Sequence, residues 1–470
     1  MSPQNVEDAP SRVVASRAWY GELPAHWTLS PARAIFSEVK SVGHGSQTML
    51  SVTIARGVIP QATLLAGSSK KDSSNLDKSK YKLVEVGDIA YNKMRAWQGA
   101  IGLSRYRGIV SPAYVVVRPR NMDAKYLENL MRTPAFAKEA ERWSYGITSD
   151  MWSLRPEHFK MIYFPVPPAD EQAAIVKYLG HAHARIDRAI AAKRKLIALL
   201  EEQKQAIIHQ AVTRGLDPTV PLKDSGIPWL GEIPAHWDAA ALRYRYTQTL
   251  GKMLDGKRNV GANPIPYLRN TDVQWGQVRT ADLPLMDITP QEYPGYTVSK
   301  GDVLVCEGGE VGRAAIWHGE GLVGFQKALH RLRPLGNEVP EFLLLVLRTA
   351  KDLGAFDNGR VSTIAHLTGE QLRSARFAWP PPGEQRAIVS AVGQQNGHID
   401  ALRARVDREI ELLREFRTRL TSDVVTGQVD VREIAATLPE LTDDMLASTG
   451  SDTVDTDLED VDDFTEGEDD

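Results

Sequence analysis

A group of basic and amide side chains in the first third of the chain directly follows a short apolar run that is typical of a β-strand. Lysine and arginine bind DNA phosphates, while arginine, asparagine and glutamine also pair with base edges in the grooves. The members of this first set are Asn92, Lys93, Arg95, Gln98, Arg105, Arg107 and Ser111. Their types predict a nucleic-acid contact surface, although a solvated loop around a core Trp97 explains any single member equally well.

A second set of similar side chains occurs far along the chain and predicts a second contact surface, although some members must be structural. It consists of Arg269, Asn270, Gln274, Arg313, Gln326, Lys327 and His330. Two further short segments, 213 residues apart, precede the long helical stretches described below. Their hydroxyl and guanidinium groups are candidates for phosphate or base contacts: Thr148, Ser149, Arg360, Ser362 and Thr363.

Two glycine-rich stretches resemble nucleotide-binding loops but lack the residues that this chemistry requires. Gly251–Lys257 imitates a phosphate loop, yet Arg258 stands where a magnesium-ligating serine or threonine is needed. Glu307–Gly312 does not have the spacing of a dinucleotide fingerprint, so we interpret it as a turn between strands.

The remaining titratable pairs do not predict catalysis either. His181 and His183 lie two positions apart on a predicted helix and face different sides, which disfavours a shared metal. The neighbouring Glu201 and Glu202 are interpreted as a solvated helix face. We therefore expect no catalytic residue, no metal site and no cofactor in this chain.

The first and second sets each lie in a segment that alternates between strand and helix patterns, which predicts two α+β domains. The predicted elements are strands at 81–90, 113–119, 303–306 and 314–317, and helices at 123–142 and 340–353.

The two segments are framed by sequences that recur. Trp19–Trp27 returns as Trp229–Trp237 with seven identities in nine positions, at an offset of 210 residues. Each segment ends in a long amphipathic helix with apolar residues spaced three and four apart, and the offset there is 213. In the first helix this apolar seam comprises Ile175, Leu179, Ala182, Ile186, Ala189, Leu196, Leu200 and Ile207. Similar frames around dissimilar segments indicate a pseudo-twofold molecule in one chain.

Composition and charge are those of a globular protein with a basic body. The 470 residues are 42% apolar and 25% charged, with a net charge of −4. Residues 439–470 hold 14 acidic residues and no lysine or arginine, so residues 1–438 carry 56 basic against 46 acidic residues, or +10. The single Cys306 excludes an internal disulfide and fits a reducing cytosol. Since no apolar run is long enough to span a membrane, we expect a cytoplasmic protein.

At this point the chain resembles the specificity subunit of type I restriction-modification systems, from about Trp19 to Asp430. The helix entries PPADEQAAIV (167–176) and PPPGEQRAIV (380–389) look like the signature of that family. So do KYKLVEVGDIAYNKMRAWQGAIG (80–102) and KGDVLVCEGGEVGRAAIW (300–317) within the unlike segments. In that family, two variable target-recognition domains alternate with two similar long helices that pack as an antiparallel coiled coil.

The resemblance implies a non-catalytic subunit that reads a bipartite site on double-stranded DNA. Its implied partners are two methyltransferase subunits and two restriction/translocase subunits, with no membrane. S-adenosylmethionine, ATP and magnesium would be used by those partners. The helices would act as a spacer, since about forty helical residues span roughly 60 Å and half-sites one DNA turn apart lie about 34 Å from each other.

The expected architecture is α+β, with two target-recognition domains separated by two long helices. Its predicted parts are an arm (1–18), the first recognition domain (19–168), the first helix (169–216), a connector (217–228), the second recognition domain (229–382), the second helix (383–430) and an acidic, disordered tail (431–470).

Three alternatives stand beside this interpretation. A methylation-only specificity subunit, or another DNA-binding adaptor without a restriction partner, fits the same residues. A fused modification enzyme would need a methyltransferase cofactor loop and an Asn/Asp-Pro-Pro-aromatic motif, neither of which is present. A scaffold that does not bind DNA would not need a basic body or two unlike segments.

Overall fold

The computed structural model describes residues 18–66, 77–146, 152–254, 261–356 and 366–442. The chain divides into two compact units. The first unit comprises residues 1–194 and 407–470, and the second comprises residues 195–406. Each unit therefore contains part of both long helices.

The described residues up to the end of the first long helix form the following elements. The strands are β1 (Thr28–Pro31), β2 (Phe36–Val39), β3 (Leu50–Thr53), β4 (Gly57–Pro60), β5 (Lys82–Val84), β6 (Ile89–Asn92), β7 (Ile101–Leu103), β8 (Gly108–Val110), β9 (Tyr114–Pro119) and β10 (Tyr163–Val166). The helices are α1 (Ala32–Ile35), α2 (Gln61–Leu65), α3 (Ala124–Met131), α4 (Pro134–Arg142), α5 (Pro156–Phe159) and α6 (Ala169–Arg214).

The rest of the described chain continues with a second series. Its strands are β11 (Leu222–Asp224), β12 (Glu232–Pro234), β13 (Asp238–Ala241), β14 (Tyr246–Leu250), β15 (Pro264–Leu268), β16 (Val273–Gln274), β17 (Gln277–Val278), β18 (Leu285–Asp287), β19 (Val303–Cys306), β20 (Ala314–Ile316), β21 (Gly324–Phe325), β22 (Leu329–Pro334) and β23 (Arg376–Trp379). Its helices are α7 (Tyr293–Tyr296), α8 (Pro340–Asp352), α9 (Gly369–Ser374), α10 (Pro382–Val425) and α11 (Arg432–Thr437).

The first unit is built on a four-stranded antiparallel sheet in the order β2-β9-β6-β7. The run of three valines at 115–117 is buried in β9, as β-branched residues favour a packed strand. Helices α3 and α4 contribute Tyr126 and Phe136 to the same core, where Phe164 of β10 also lies. A separate pair, β1 with β10, leads into α6.

The single helix that we expected at 123–142 is in fact two helices. Helix α3 ends at Met131, and the Thr133 hydroxyl accepts a hydrogen bond from Phe136 N at 3.2 Å to cap α4. Pro134 occupies the first turn of α4, where its missing N–H costs no helical hydrogen bond. Amphipathic spacing continued through this proline, which is why the sequence pattern did not show the break.

The second unit repeats the central sheet of the first. Its order is β14-β22-β19-β20, again antiparallel, and β13 pairs with β23 as β1 pairs with β10. A three-stranded sheet, β18-β15-β21, is added to this framework. Trp237, Tyr246, Phe342 and Trp379 lie in the core together with α8.

One ion pair marks the equivalence of the two sheets. Arg118 of β9 donates two hydrogen bonds to Asp88, which precedes β6, at 2.6 and 2.9 Å. Arg333 of β22 donates two to Asp302, which precedes β19, each at 2.7 Å. Both carboxylates are buried. Because the paired residues occupy equivalent positions, each pair joins the same two strands in its own unit.

The two long helices pack antiparallel within each unit. In the first unit, His183 Nε2 lies 2.8 Å from Thr421 Oγ1, and Arg417 donates to Asp187 at 2.7 Å. In the second unit, Lys204 donates to Asp400 at 2.7 Å. From His183 to Lys204 along α6, the contacted residues on α10 run backwards from Thr421 to Asp400. The two helices are therefore antiparallel.

Most of the predicted apolar seam faces inward, with one exception. Ile175, Leu179, Ile186 and Leu200 are buried, but Leu196 is 44% exposed. In this part of the helix the buried face runs through Ile190, the half-buried Ile197 and Leu200, and Leu196 lies beside it. None of the helices in the described residues is both long and apolar enough to cross a bilayer.

Candidate nucleic-acid interface

In each unit a loop follows the equivalent central strand. Lys93, Arg95 and Gln98 lie within the first of these loops, whereas Arg105 and Arg107 follow β7 and lie at the opposite end of the β6–β7 hairpin. The first loop, residues 93–100, connects β6 to β7, and the second loop, residues 307–313, connects β19 to β20. The second loop confirms the predicted turn between strands. Leu154 N donates to Lys93 O at 2.9 Å, and Leu367 N donates to Glu307 O at 2.7 Å. The same hydrogen bond therefore holds both loops against the segment that precedes the long helix.

Asn92 is at the base of the first loop and faces the protein interior. Its side chain is buried, and its Oδ1 accepts a hydrogen bond from Met94 N at 2.9 Å. Trp97 Nε1 donates to Met94 O at 2.8 Å, and its ring meets Trp152 edge to face at 5.7 Å. Asn92 therefore shapes the loop in this conformation, and the other members of the set are the candidates for contact.

The other members of the first set lie nearer the surface. Gln98, Arg105 and Arg107 are exposed, whereas Lys93, Arg95 and Ser111 are half-buried. Arg107 Nε donates to Glu85 Oε1 at 3.2 Å across two exposed side chains, an arrangement that contributes little stability and leaves the guanidinium accessible.

Asn270 and Arg313 lie together in the second unit, beside the second loop. Asn270 Nδ2 donates to Gly308 O at 3.0 Å, and Arg313 donates to Asn270 O at 2.9 Å. Asn270 Oδ1 and Arg313 Nε are buried atoms without a hydrogen-bond partner in the protein. The sequence placed these residues 43 positions apart, and the fold combines them into one polar cluster.

Arg269 and Gln274 are held by local hydrogen bonds. Arg269 donates to both carboxylate oxygens of Asp272, at 2.9 and 2.8 Å. These hydrogen bonds raise the pKa of Arg269 above its usual value, so the side chain stays charged. Gln274 Nε2 donates to Thr271 O at 2.9 Å. Both residues therefore sit on a short turn with part of the side chain still open to solvent.

His330 is the member of the second set that the fold buries completely. Its ring nitrogens lie 2.8 Å from Gln248 Nε2 and 3.0 Å from Leu367 O. Burial lowers the pKa of His330, so the imidazole is neutral at pH 7. Since its side chain has no exposed surface, His330 supports the sheet, while Gln326 is half-buried and Lys327 is exposed.

Thr148, Ser149, Arg360, Ser362 and Thr363 lie outside the described residues. Of their neighbours, Trp152 packs on Trp97, and His366 approaches the second loop. A Cβ atom at Gly308 would lie 3.2 Å from His366 Nδ1, so the His366 ring lies against the second loop. Neither His366 nor Trp152 is among the contact residues that the sequence predicts.

A second basic feature, present in both units, was missed from the sequence. Arg33 and Arg243 are exposed and 210 residues apart, and Lys160 and Arg373 are 213 residues apart. We call these four residues the recurrent basic pairs. In the first unit Arg33 N donates to Lys160 O at 3.3 Å, and in the second Arg243 lies 5.0 Å from the ring of exposed Tyr244. Comparing the two repeats at these offsets would have found them.

The described residues around the two loops offer hydrogen-bonding groups and positive charge. Among the described residues, no group of three or more histidine, cysteine, aspartate or glutamate side chains is placed to hold a metal ion. Cys306 is buried, and burial raises the pKa of its thiol, which disfavours the thiolate.

Comparison with known proteins gives a consistent result. A family model described as "Type I restriction modification DNA specificity domain" matches residues 254–411. The type I restriction enzyme EcoKI specificity subunit of Escherichia coli is 21% identical, over 92% of this chain and 98% of its own length. The StySPI specificity subunit of Salmonella potsdam is also 21% identical, over 87% of this chain and 90% of its own length.

Two solved structures share the fold. A chain from a study of assembly and conformational transition of the type I R-M system has a TM-score of 0.63, with 16% identity, covering 87% of this chain and 100% of that chain. The HsdS subunit from Thermoanaerobacter tengcongensis has a TM-score of 0.51, also with 16% identity, covering 87% of this chain and 98% of its own. Over most of its length this chain is therefore similar to type I restriction enzyme specificity subunits, and its residues 254–411 match the model of a type I restriction modification DNA specificity domain.

Proposed function

We propose that this chain reads a bipartite site on double-stranded DNA, one half with each recognition domain. The observation that carries the proposal is that the two units share one framework but present different loops. The Arg118–Asp88 and Arg333–Asp302 pairs hold equivalent strands, yet the first loop is polar around Trp97 and the second is glycine-rich around Asn270. A constant framework with unlike loops suits the reading of two different half-sites.

The chemistry of each surface supports a division of roles. Exposed basic side chains such as Arg107 and Lys327, together with the recurrent basic pairs, would bind phosphates and fix the register. The Asn270–Arg313 cluster would read bases, since both residues are half-buried beside the second loop and carry amide and guanidinium groups, which pair with base edges. In the first domain, Lys93, Arg95 and Gln98 would take the corresponding positions around the first loop.

The long helices would dock the partner subunits and act as a coiled-coil spacer between the recognition domains. Leu199 on α6 and Leu412 on α10 are 213 residues apart and are 52% and 62% exposed. Each therefore presents an apolar side chain at an equivalent position, one in the second unit and one in the first. Two equivalent exposed apolar positions would allow two copies of one methyltransferase subunit to dock in the same way.

The chain itself would supply specificity, and its partners would supply the reactions. Adenine methylation with S-adenosylmethionine would belong to the methyltransferase subunits, and ATP- and magnesium-dependent translocation and cleavage to two restriction subunits. The name specificity subunit, which the relatives carry, describes recognition rather than catalysis.

Exchange of one recognition domain tests the proposal. Residues 30–160 would be replaced by the corresponding segment of a specificity subunit with a different motif, and the methylated sites of the host would be sequenced. We expect one half of the bipartite motif to change and the other half to persist. The matched exchange of residues 240–373 should change the opposite half. If either exchange altered both halves, the two domains would not be independent readers.

A further inference from the structure

The chain that follows α10 folds back onto the first turns of α6 and is held there by polar and apolar contacts. Lys177 Nζ donates to Glu440 Oε1 at 2.7 Å, and His181 Nε2 lies 2.9 Å from Pro439 O. Leu441 covers Gly180 so closely that a Cβ atom at that glycine would lie 2.7 Å from Leu441 Cδ2. Residues 443–470 therefore begin from a defined point on the first unit.

The glycine at this contact has an equivalent in the other long helix, but the contact does not. Gly393 lies 213 residues after Gly180, and nothing would stand within 4 Å of a Cβ atom there. In the described structure, the docked C-terminal segment therefore explains why a glycine fits at position 180.

When residues 1–17 and 443–470 are left out of the count, the unit that carries this attachment is the more basic of the two. Residues 18–194 and 407–442 contain 30 lysine and arginine residues against 23 acidic residues, a net charge of +7. Residues 195–406 contain 24 against 22, a net charge of +2. The C-terminal residues 443–470 contain 13 acidic residues and no lysine or arginine. The strongest negative segment is therefore tethered to the strongest positive body.

The tether is long enough to reach any surface of that unit. A chain of 28 residues spans at most about 95 Å when fully extended. A compact unit of roughly 210 residues has a radius of gyration of about 17 Å. A tethered ligand acts at a local concentration that reaches the millimolar range for short tethers, so even weak charge pairing would be populated.

We propose that residues 443–470 bind in cis to the basic, DNA-facing surface of the first recognition domain and compete with DNA for it. This inference rests on the proposed function, because it requires that surface to bind phosphates. The tail carboxylates take the place of phosphates, and specific DNA displaces them by adding base contacts that the tail does not make. The tail thereby weakens binding to non-specific DNA more than binding to the cognate site.

The test compares three proteins: the full chain, a chain ending at Thr442, and a full-length variant in which the 13 acidic residues of 443–470 are changed to Asn or Gln. All three keep the docked segment, and equal melting temperatures would verify this. Affinity for a non-specific duplex is measured by fluorescence anisotropy over a range of salt concentrations. We expect the shortened and neutral chains to bind about ten-fold more tightly at about 50 mM salt, with the difference vanishing as salt screens the charges.

Other patterns of DNA affinity would overturn the proposal. Equal affinities for all three proteins at every salt concentration would overturn competition by the tail. Tighter binding by the shortened chain but not by the neutral chain would show that bulk rather than charge obstructs DNA, which also overturns the proposal. No DNA binding by any of the three would sink the proposed function itself.

A second measurement does not depend on DNA affinity. Zero-length carboxyl-to-amine cross-linking of the full chain, followed by mass spectrometry, should join tail carboxylates to lysines of the first recognition domain, including Lys93. Cognate DNA should suppress those cross-links. Cross-links confined to lysines of the second unit, such as Lys223 and Lys327, would place the tail elsewhere and refute the inference.

Discussion

His26 Nε2 lies 2.8 Å from Glu171 Oε2, and His236 Nε2 lies 2.8 Å from Glu384 Oε2. Each histidine belongs to a copy of the nine-residue aromatic motif, and each glutamate lies in the first turn of a long helix. In both copies, therefore, the aromatic motif contacts the start of the long helix through the same His–Glu pair. This contact explains why both motifs recur although the segments between them do not.

Loss of this His–Glu pair should destabilise the first unit more than the second. The Glu171 side chain is 8% exposed and that of Glu384 is 28% exposed. His26→Ala leaves a buried carboxylate without this partner and should cost about 1–2 kcal/mol of unfolding free energy, whereas His236→Ala should cost less. Urea denaturation of the two variants provides the comparison. Equal costs would show that burial of the carboxylate does not control the effect.

Acid should weaken the helix pair of the first unit through His183. Burial, with Arg417 and Lys125 nearby, lowers the pKa of His183 to about 3 in the folded state. The unfolded chain, with a pKa of about 6.5, binds the proton first as pH falls, so stability decreases from about pH 6.5 towards pH 3. The slope from this group should approach about 1.4 kcal/mol per pH unit.

The variant His183→Gln should flatten that part of the stability profile, because glutamine cannot titrate yet can still bond to Thr421. His181→Gln, two positions away on the same helix, is the matched control and should keep the wild-type slope. Thermal unfolding at several pH values would show the difference. An unchanged slope in His183→Gln would mean that other groups govern acid sensitivity.

Substitutions around the two loops should separate the two halves of the site. Lys93→Ala should weaken reading through the first half, and Arg313→Ala through the second, because Arg313 also positions Asn270. A lost base contact costs about 1–3 kcal/mol and relaxes sequence preference, whereas a lost phosphate contact weakens all sequences alike. Binding to duplexes altered in one half-site distinguishes these cases. Lys223→Ala, in the exposed β11 strand, should change neither half.

Replacing either exposed leucine of the long helices should remove one methyltransferase copy. Leu199→Asp and Leu412→Asp each place a charge on an apolar contact, and a desolvated unpaired charge is unfavourable. Native mass spectrometry should show one methyltransferase subunit fewer for each variant and none bound for the double variant. Val86→Asp, at a position 66% exposed in the first recognition domain, is the control that should retain both copies. Retention of both copies by the double variant would exclude these positions as docking sites.

A change in spacer length should alter the gap in the recognised motif. Four residues inserted near Ala198 lengthen the helix by roughly 6 Å and nearly preserve its buried face. DNA rises about 3.4 Å per base pair, so the gap should grow by one or two base pairs with both half-sites unchanged. A one-residue insertion rotates the following turns by about 100° and should disrupt packing of Leu200 and Ile208, which are buried. Sequencing of methylated sites would decide, and an unchanged gap would rule out the spacer role.

The sequence by itself determined the repeating parts of this protein. The aromatic motifs, the helix entries and the 3.6-residue periodicity are local patterns, so they predicted a pseudo-twofold α+β chain with two long helices. Local patterns also identified the stretch 307–312 as a turn, because glycines there allow positive φ angles at Gly309 and Gly312.

The tertiary structure decided which polar residues meet and which face solvent. Asn92 and His330 have the side-chain types of DNA contacts, but the fold buries both against backbone and amide partners. Asn270 and Arg313 are distant in sequence, and only strand pairing brings them into one cluster. Gly180 lies within a long helix, where glycine is unfavourable, and only the fold places Leu441 against it. Burial and long-range contact depend on how elements pack, and a sequence pattern reports only the period and residue type of each element.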